Sequence, residues 1–199
     1  MFLQKDNLNT AIEAVAQGSI IGIPTETVYG LGVDPYSEEA VKSLFNIKER
    51  DDSKPVSLLV PSYGSVHKLN IITDIPEVVD LYWPGPLTVV VETSEKFVDG
   101  VGTKSPNTIG IRVPDNELTI ELLNTTGPLA VTSANLTGQK EAKNHNEAEE
   151  IFKDSVKHYI EGEAVHGNGS TVVDLREPGG EILRAVSYTH LTLPTILLV

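Results

Sequence analysis

The sequence predicts an α/β domain, a mixed sheet with helices layered against it, on three observations. Short apolar runs interleave along the chain with stretches whose apolar residues recur at helical spacing. Glycine and proline, 16 and 12 in 199 residues, punctuate the boundaries between those stretches. Apolar content of 40% and charged content of 22% suit a packed core, which excludes disordered and collagen-like chains. No internal repeat or low-complexity linker divides the chain, so one domain is expected.

In order, Leu8, Ile12, Val15 and Ala16 mark a helix over 8–17 that Gly18 caps, and Ser19 to Ile23 is a buried strand stopped by Pro24. Pro24 to Pro35, rich in Thr and Gly, reads as an ordered loop. Ser37 then caps a helix with Glu38 and Glu39 in its first turn and Val41, Leu44 and Phe45 inward. Val56 to Val60 is a strand, helix signals return near 76–82, and Pro84-Gly85-Pro86 precedes a strand over Leu87 to Val91. A strand over Thr108 to Val113, a helix over Glu117 to Leu123 and a strand over Leu129 to Val131 follow. Ala148 to Phe152 is helical, and Tyr159-Ile160, Thr171 to Leu175 and Glu181 to Leu183 complete the strands. Ala185 to Val199 differs from all this, with no charged residue and nine apolar ones among fifteen. It reads either as a last strand over the core or as a tail, 185–199, appended to a domain of residues 1–184.

Composition removes whole classes of function. With no cysteine, a disulfide framework, a thiolate zinc site, an iron–sulfur site and a cysteine nucleophile are all out. No run of about 18 apolar residues is present, and Met1 to Asp6 lacks the basic flank and apolar centre of a secretory signal, so a cytoplasmic location and no membrane partner are expected. Twenty-eight acids against 15 bases give a net charge of −13, which argues against general nucleic-acid affinity. Arginine is scarce: Arg50, Arg112, Arg176 and Arg184 are all there is, and their placement is informative because anion recognition favours the guanidinium fork.

The nucleotide and metal fingerprints are missing. No stretch fits G-x-x-x-x-G-K-[ST]; Gly167-x-Gly169 lacks its third glycine; the five histidines show neither H-x-H nor H-E-x-x-H spacing; no G-x-S-x-G elbow exists. No metal site is expected. Two stretches stand out instead. Pro24-Thr25-Glu26-Thr27-Val28-Tyr29-Gly30-Leu31-Gly32 follows directly from a buried strand, where open α/β sheets present ligand-binding groups. The same residues also suit a turn that merely satisfies its own backbone. Lys48-x-Arg50-x-x-x-Lys54-Pro55 puts three cations at a helix end before a strand, a pattern for a polyphosphate clamp or for simple complementation of the helix dipole.

With those two stretches, Trp83-Pro84-Gly85-Pro86-Leu87-Thr88, Ile111-Arg112-Val113-Pro114, Ser133-Ala134-Asn135-Leu136-Thr137-Gly138, Ser170-Thr171-Val172-Val173-Asp174 and Ile182-Leu183-Arg184 occur in order. Over residues 8–184 this set resembles the YrdC-like family of threonylcarbamoyl-AMP synthases. The resemblance implies a twisted open mixed sheet with flanking helices and a large concave cleft. It implies a nucleotidyltransferase that joins L-threonine, bicarbonate and ATP into threonylcarbamoyl-AMP and pyrophosphate, with Mg²⁺ carried by the nucleotide. A separate tRNA threonylcarbamoyl transferase complex would use the product on an adenosine beside the anticodon, so tRNA binding here is expected to be weak or indirect.

By motif position, Thr27, Arg112 and Ser170 resemble threonine-binding residues, and Arg50, Lys54, Thr108, Ser133 and Arg184 resemble ATP-binding ones. Lys48, Arg50 and Arg112 are the cations expected to act on the charge that gathers at the reacting phosphorus. Trp83 to Thr88 reads mostly as architecture, since Pro-Gly-Pro fixes a chain reversal, and Asn135 as either a loop organiser or a ligand contact. Two departures accompany the resemblance: Glu141-Ala142-Lys143 stands where members often carry Ser-Pro-Thr, and Ala185-Val186-Ser187-Tyr188 follows Arg184 where they continue Pro-Gly. The alternatives are an RNA-binding relative without synthase activity, which −13 disfavours, and a carbamoyl-transfer enzyme of the hydrogenase-maturation type, which would need cysteines and further modules.

Overall fold

A computed structural model describes residues 2–51, 54–177 and 179–186. Among the described residues ten strands form one mixed sheet: β1 (Ile21–Ile23), β2 (Gly30–Val33), β3 (Ser57–Leu59), β4 (Leu87–Glu92), β5 (Thr103–Lys104), β6 (Asn107–Arg112), β7 (Leu129–Ser133), β8 (His158–Tyr159), β9 (Thr171–Asp174) and β10 (Glu181–Arg184). The spatial order is β10-β9-β4-β6-β3-β7-β2-β1-β8, with β5 paired to β6. Three neighbouring pairs, β1/β8, β3/β6 and β4/β9, are parallel and the others antiparallel. The helices are α1 (Phe2–Ala16), α2 (Glu38–Ile47), α3 (Tyr63–Val66), α4 (Glu117–Thr126) and α5 (His145–Phe152).

Local rules place most ends as the sequence suggests. Ser37 accepts the Ala40 N–H at the start of α2, Asn116 and Asn144 cap α4 and α5 in the same way, and Gly18, at φ +74°, lets the chain leave α1. Some expectations need correction. α1 begins at Phe2 rather than Leu8, and the segment near 76–82 is a 3₁₀ turn over Glu77–Tyr82. The stretch read as a loop over 24–35 contains β2, a strand inside the sheet. Its glycines are there because β7 lies close: a Cβ on Gly30 would stand 3.1 Å from a Val131 methyl.

The sheet divides the core in two. Strand neighbours alternate between faces, so Leu58 and Ala130 join one apolar cluster while Leu59 and Leu129 join the other. Under the first face lie Val41, Leu44 and Phe45 of α2 together with Val89, Val91, Ile109, Ile111 and Val173. On the second face Leu8, Ala11 and Val15 of α1 and Leu122 and Leu123 of α4 cover Ile21, Ile23, Leu59 and Leu129. That cover stops at β3. Beyond it, the outward positions of β6, β4 and β9 carry Gly110, Arg112, Thr88 and Val172 rather than a continuous apolar surface. Among the described residues the fold thus leaves part of one sheet face without helices. The expected tail falls mostly on residues 187–199, outside the described residues.

Candidate active site

The uncovered face is the floor of a cleft of about 290 Å³, close to the lower end of the range for small-molecule sites. Thr25, Thr27, Ser57, Thr88, Arg112, Ser133, Ser170, Arg50, Arg184 and Glu141 are among its lining. Three of the four arginines of a chain with net charge −13 therefore converge on one concavity. Arg176 is the exception, held by Asp174 in an ion pair at 2.5 Å, where it keeps the Asp174 carboxyl below its usual range.

One wall is built on strand ends. The turn after β1 does satisfy its own backbone, for Thr25 Oγ1 donates to the Val28 carbonyl at 2.7 Å and accepts from the N–H groups of Thr27 and Val28. It also presents Thr25 and Thr27 to the cleft, their hydroxyls 2.9 Å apart, so satisfying its own backbone does not turn the stretch away from the concavity. Tyr29, in the same motif, turns the other way. It is fully buried, its hydroxyl donates to the Ile160 carbonyl at 2.7 Å, and burial raises its pKa. Arg112 ends β6 with its Nε on the Gly85 carbonyl at 3.1 Å and its Nη2 2.6 Å from Glu26 Oε2. The Trp-Pro-Gly-Pro turn, which has a cis Trp83–Pro84 bond, therefore supplies a backbone acceptor to the site as well as reversing the chain. Beside Arg112's strand, the hydroxyls of Thr88 and Ser170 lie 2.7 Å apart, and Arg184 donates from Nε to the Ser170 carbonyl at 2.9 Å.

The other wall is carried by loops. Arg50 lies against the Phe45 ring, donates to the carbonyls of Lys54 and Pro55 at 2.7 and 3.1 Å, and reaches Thr132 Oγ1 at 3.5 Å. Lys48 does not enter the cleft. It is 1% exposed, and its ammonium donates to the Ser133 carbonyl at 2.5 Å, the Asn135 carbonyl at 2.6 Å and Asn135 Oδ1 at 3.3 Å. Its own carbonyl accepts from the N–H and hydroxyl of Thr137. Burial, with Arg50 nearby, pushes the Lys48 ammonium down to about 8, against the pull of Glu141. Lys48 thus braces the loop after β7: its ammonium, expected at the reacting centre, is buried away from the cleft and taken up by carbonyl and amide oxygens. Asn135 belongs to the same brace, its amide donating to the carbonyls of Leu136 and Gln139 while its Oδ1 accepts from Ser133 Oγ.

Of the residues singled out from sequence, Thr27, Arg50, Arg112, Ser133, Ser170 and Arg184 share this cleft. Lys54 is exposed and outside the lining, and contributes its carbonyl to Arg50. Thr108 lies on the cleft side of β6, four residues from Arg112, with its hydroxyl 2.6 Å from that of Thr103 and outside the lining. Three residues have no binding role in the sequence reading, Thr88 falling within the Trp83 to Thr88 stretch read as architecture. Thr88 could have been found as the polar break in the apolar run Leu87 to Val91, and Glu141 as the carboxylate in a segment departing from the family pattern. Glu26 had only its place in the motif, because its meaning depends on a partner 86 residues away.

Comparison with known proteins identifies the family and the fold. The family model for Sua5, YciO and YrdC, whose description reads "Telomere recombination", matches residues 13–185. A Pseudomonas aeruginosa protein named threonylcarbamoyl-AMP synthase is 35% identical over 181 residues, 87% of this chain and 94% of that protein. The crystal structure of P. abyssi Sua5 complexed with L-threonine superposes with a TM-score of 0.80 at 31% identity, covering 89% of this chain and 53% of that one. E. coli YciO shares the fold, with a TM-score of 0.81 at 24% identity over 91% of this chain and 89% of that one.

Proposed function

The chain belongs to the Sua5/YciO/YrdC family, and from that premise we propose that it is a nucleotidyltransferase making threonylcarbamoyl-AMP from L-threonine, bicarbonate and ATP. The observation that carries the reading is the convergence of Arg50, Arg112 and Arg184 with the hydroxyls of Thr27, Ser133 and Ser170 on one cleft. Thr27, Arg112 and Ser170 hold threonine; Arg50, Ser133 and Arg184 hold ATP, with Lys54 and Thr108 at its margin. In this reading the threonine amine and bicarbonate combine to a carbamate and water. A carbamate oxygen then bonds to the α-phosphorus as the bond to the β-phosphate bridge breaks, and pyrophosphate leaves. No covalent enzyme intermediate is needed. The chain's own part is to hold both substrates in line and to set guanidinium groups where negative charge grows. Mg²⁺ arrives on the nucleotide and supplies charge neutralisation at the phosphates.

Residues 1–184 form the catalytic domain in this reading, and the product passes to a tRNA-modifying transferase rather than to a tethered tRNA. The test is pyrophosphate release with each substrate omitted in turn. The reading requires ATP, L-threonine and bicarbonate together; release that is indifferent to threonine or bicarbonate rejects it. Serine lacks one methyl, and its use should fall roughly 10- to 200-fold.

A further inference from the structure

The three arginines of the cleft are not electrically alike. Arg112, buried at 7% exposure, stands 2.6 Å from the Glu26 carboxylate, itself 5% exposed. Arg50 and Arg184 are held by carbonyls and hydroxyls, with no carboxylate within ion-pair distance among the described residues. The Glu26 carboxylate is costly to keep. Its Oε2 also accepts the Asp115 N–H at 3.1 Å, while Oε1 is buried with no hydrogen-bond partner among the described residues. A buried ion pair is weak support for stability, so its retention in the wall of a cleft points to a role in what the cleft accepts.

The register separates the places. Arg112, Leu59 and Leu129 lie in one row across β6, β3 and β7, and Thr132, which Arg50 reaches, is three residues further along β7 and two strands over. Strand spacings put those two backbone positions about 14 Å apart.

We propose that Glu26 is a specificity-determining counter-charge: by neutralising Arg112 it closes that end of the cleft to phosphate and keeps it for a zwitterionic amino acid. Polyphosphate then goes to the uncompensated Arg50, on the far side of the cleft. Without such a device a nucleotide triphosphate, carrying several negative charges, would outcompete a neutral amino acid for every arginine in reach. This inference deepens the synthase reading and rests on it for the identity of the amino acid; the charge partition is tested without turnover.

The experiment titrates inorganic pyrophosphate and, separately, L-threonine into the whole chain, its Glu26→Gln variant and its Arg112→Gln variant, with no other substrate present. Glutamine keeps an acceptor for the Asp115 N–H and for Arg112 while removing the charge. Glu26→Gln should bind pyrophosphate about tenfold tighter, and pyrophosphate should now displace L-threonine competitively. If Glu26→Gln fails to fold, Arg112→Gln carries the test: L-threonine affinity should drop about tenfold or more while pyrophosphate affinity changes by less than about threefold. Equal pyrophosphate affinity in Glu26→Gln and the parent overturns the proposal, as does a tenfold loss of pyrophosphate affinity in Arg112→Gln. A parent that binds pyrophosphate and makes no adenylate leaves the charge partition standing and removes the synthase reading. A parent that binds neither ligand removes both.

Discussion

The two walls of the cleft are built by different means. Thr27, Arg112 and Ser170 sit at or beside strand ends, each under a tenth exposed, and are tied by an ion pair and a hydroxyl pair inside the sheet. Arg50 and Glu141 belong to connecting segments, and Ser133 ends β7 where the next loop begins; the shape of this wall depends on side chains grasping carbonyls, above all Lys48. The difference teaches that one wall is inseparable from the stability of the sheet, whereas the other can be altered with the fold left standing.

The sharpest way to break that comparison is Arg112→Ala. It strands a buried Glu26 carboxylate, so unfolding by denaturant should show a loss of about 3–5 kcal/mol. A loss below about 1 kcal/mol would mean that the strand-built wall is no more structural than the loops. Next is Arg50→Ala, expected to lower kcat/KM for ATP roughly 10- to 150-fold with a melting temperature close to that of the parent. Lys54→Ala should cost less, because its side chain is exposed and its carbonyl, which Arg50 uses, survives the substitution. Equal losses in the two variants would put the Lys54 ammonium on the nucleotide beside Arg50.

Lys48 gives a smaller effect with a definite sign. Its folded pKa, about 8, lies below the ordinary lysine value of 10.5. Between these values the folded ammonium has lost its proton while the unfolded one keeps it, so the unfolded state binds more protons and stability rises with pH. The contribution is roughly 1 kcal/mol per pH unit, absent below the window and complete above it. Lys48→Met should flatten the stability profile from pH 8 to 10 relative to the parent. An unchanged slope would show that the brace does not bury a titrating ammonium. The smallest effect is expected from ending the chain after Arg184, which should move the melting temperature by a few degrees if residues 185–199 lie outside the catalytic domain. Loss of folded protein would make them part of it.

Individual residues show where reading the sequence stops. The caps at Ser37 and Gly18 were legible because they depend on neighbours within four residues. β2 was not, since Gly30 and Gly32 weaken any local strand signal and only the close approach of β7 explains them. Lys48 and Arg50 look alike in sequence, two cations with a single residue between them, yet one lies under a loop and the other faces the cleft. Nothing local separates them, for the acceptors that claim Lys48 lie more than 80 residues away.

By itself the sequence determined the α/β class, most of the elements and, through the order of its motifs, the family; these depend on periodicity, caps and residue identity, which are properties of short stretches. The tertiary structure alone decided which face of the sheet stays uncovered, that Tyr29 and Lys48 turn inward, and that Glu26 meets Arg112. Those outcomes are settled by which strands become neighbours and by the cost of leaving a buried charge or hydrogen-bonding group without a partner, and that cost is charged only when distant segments meet.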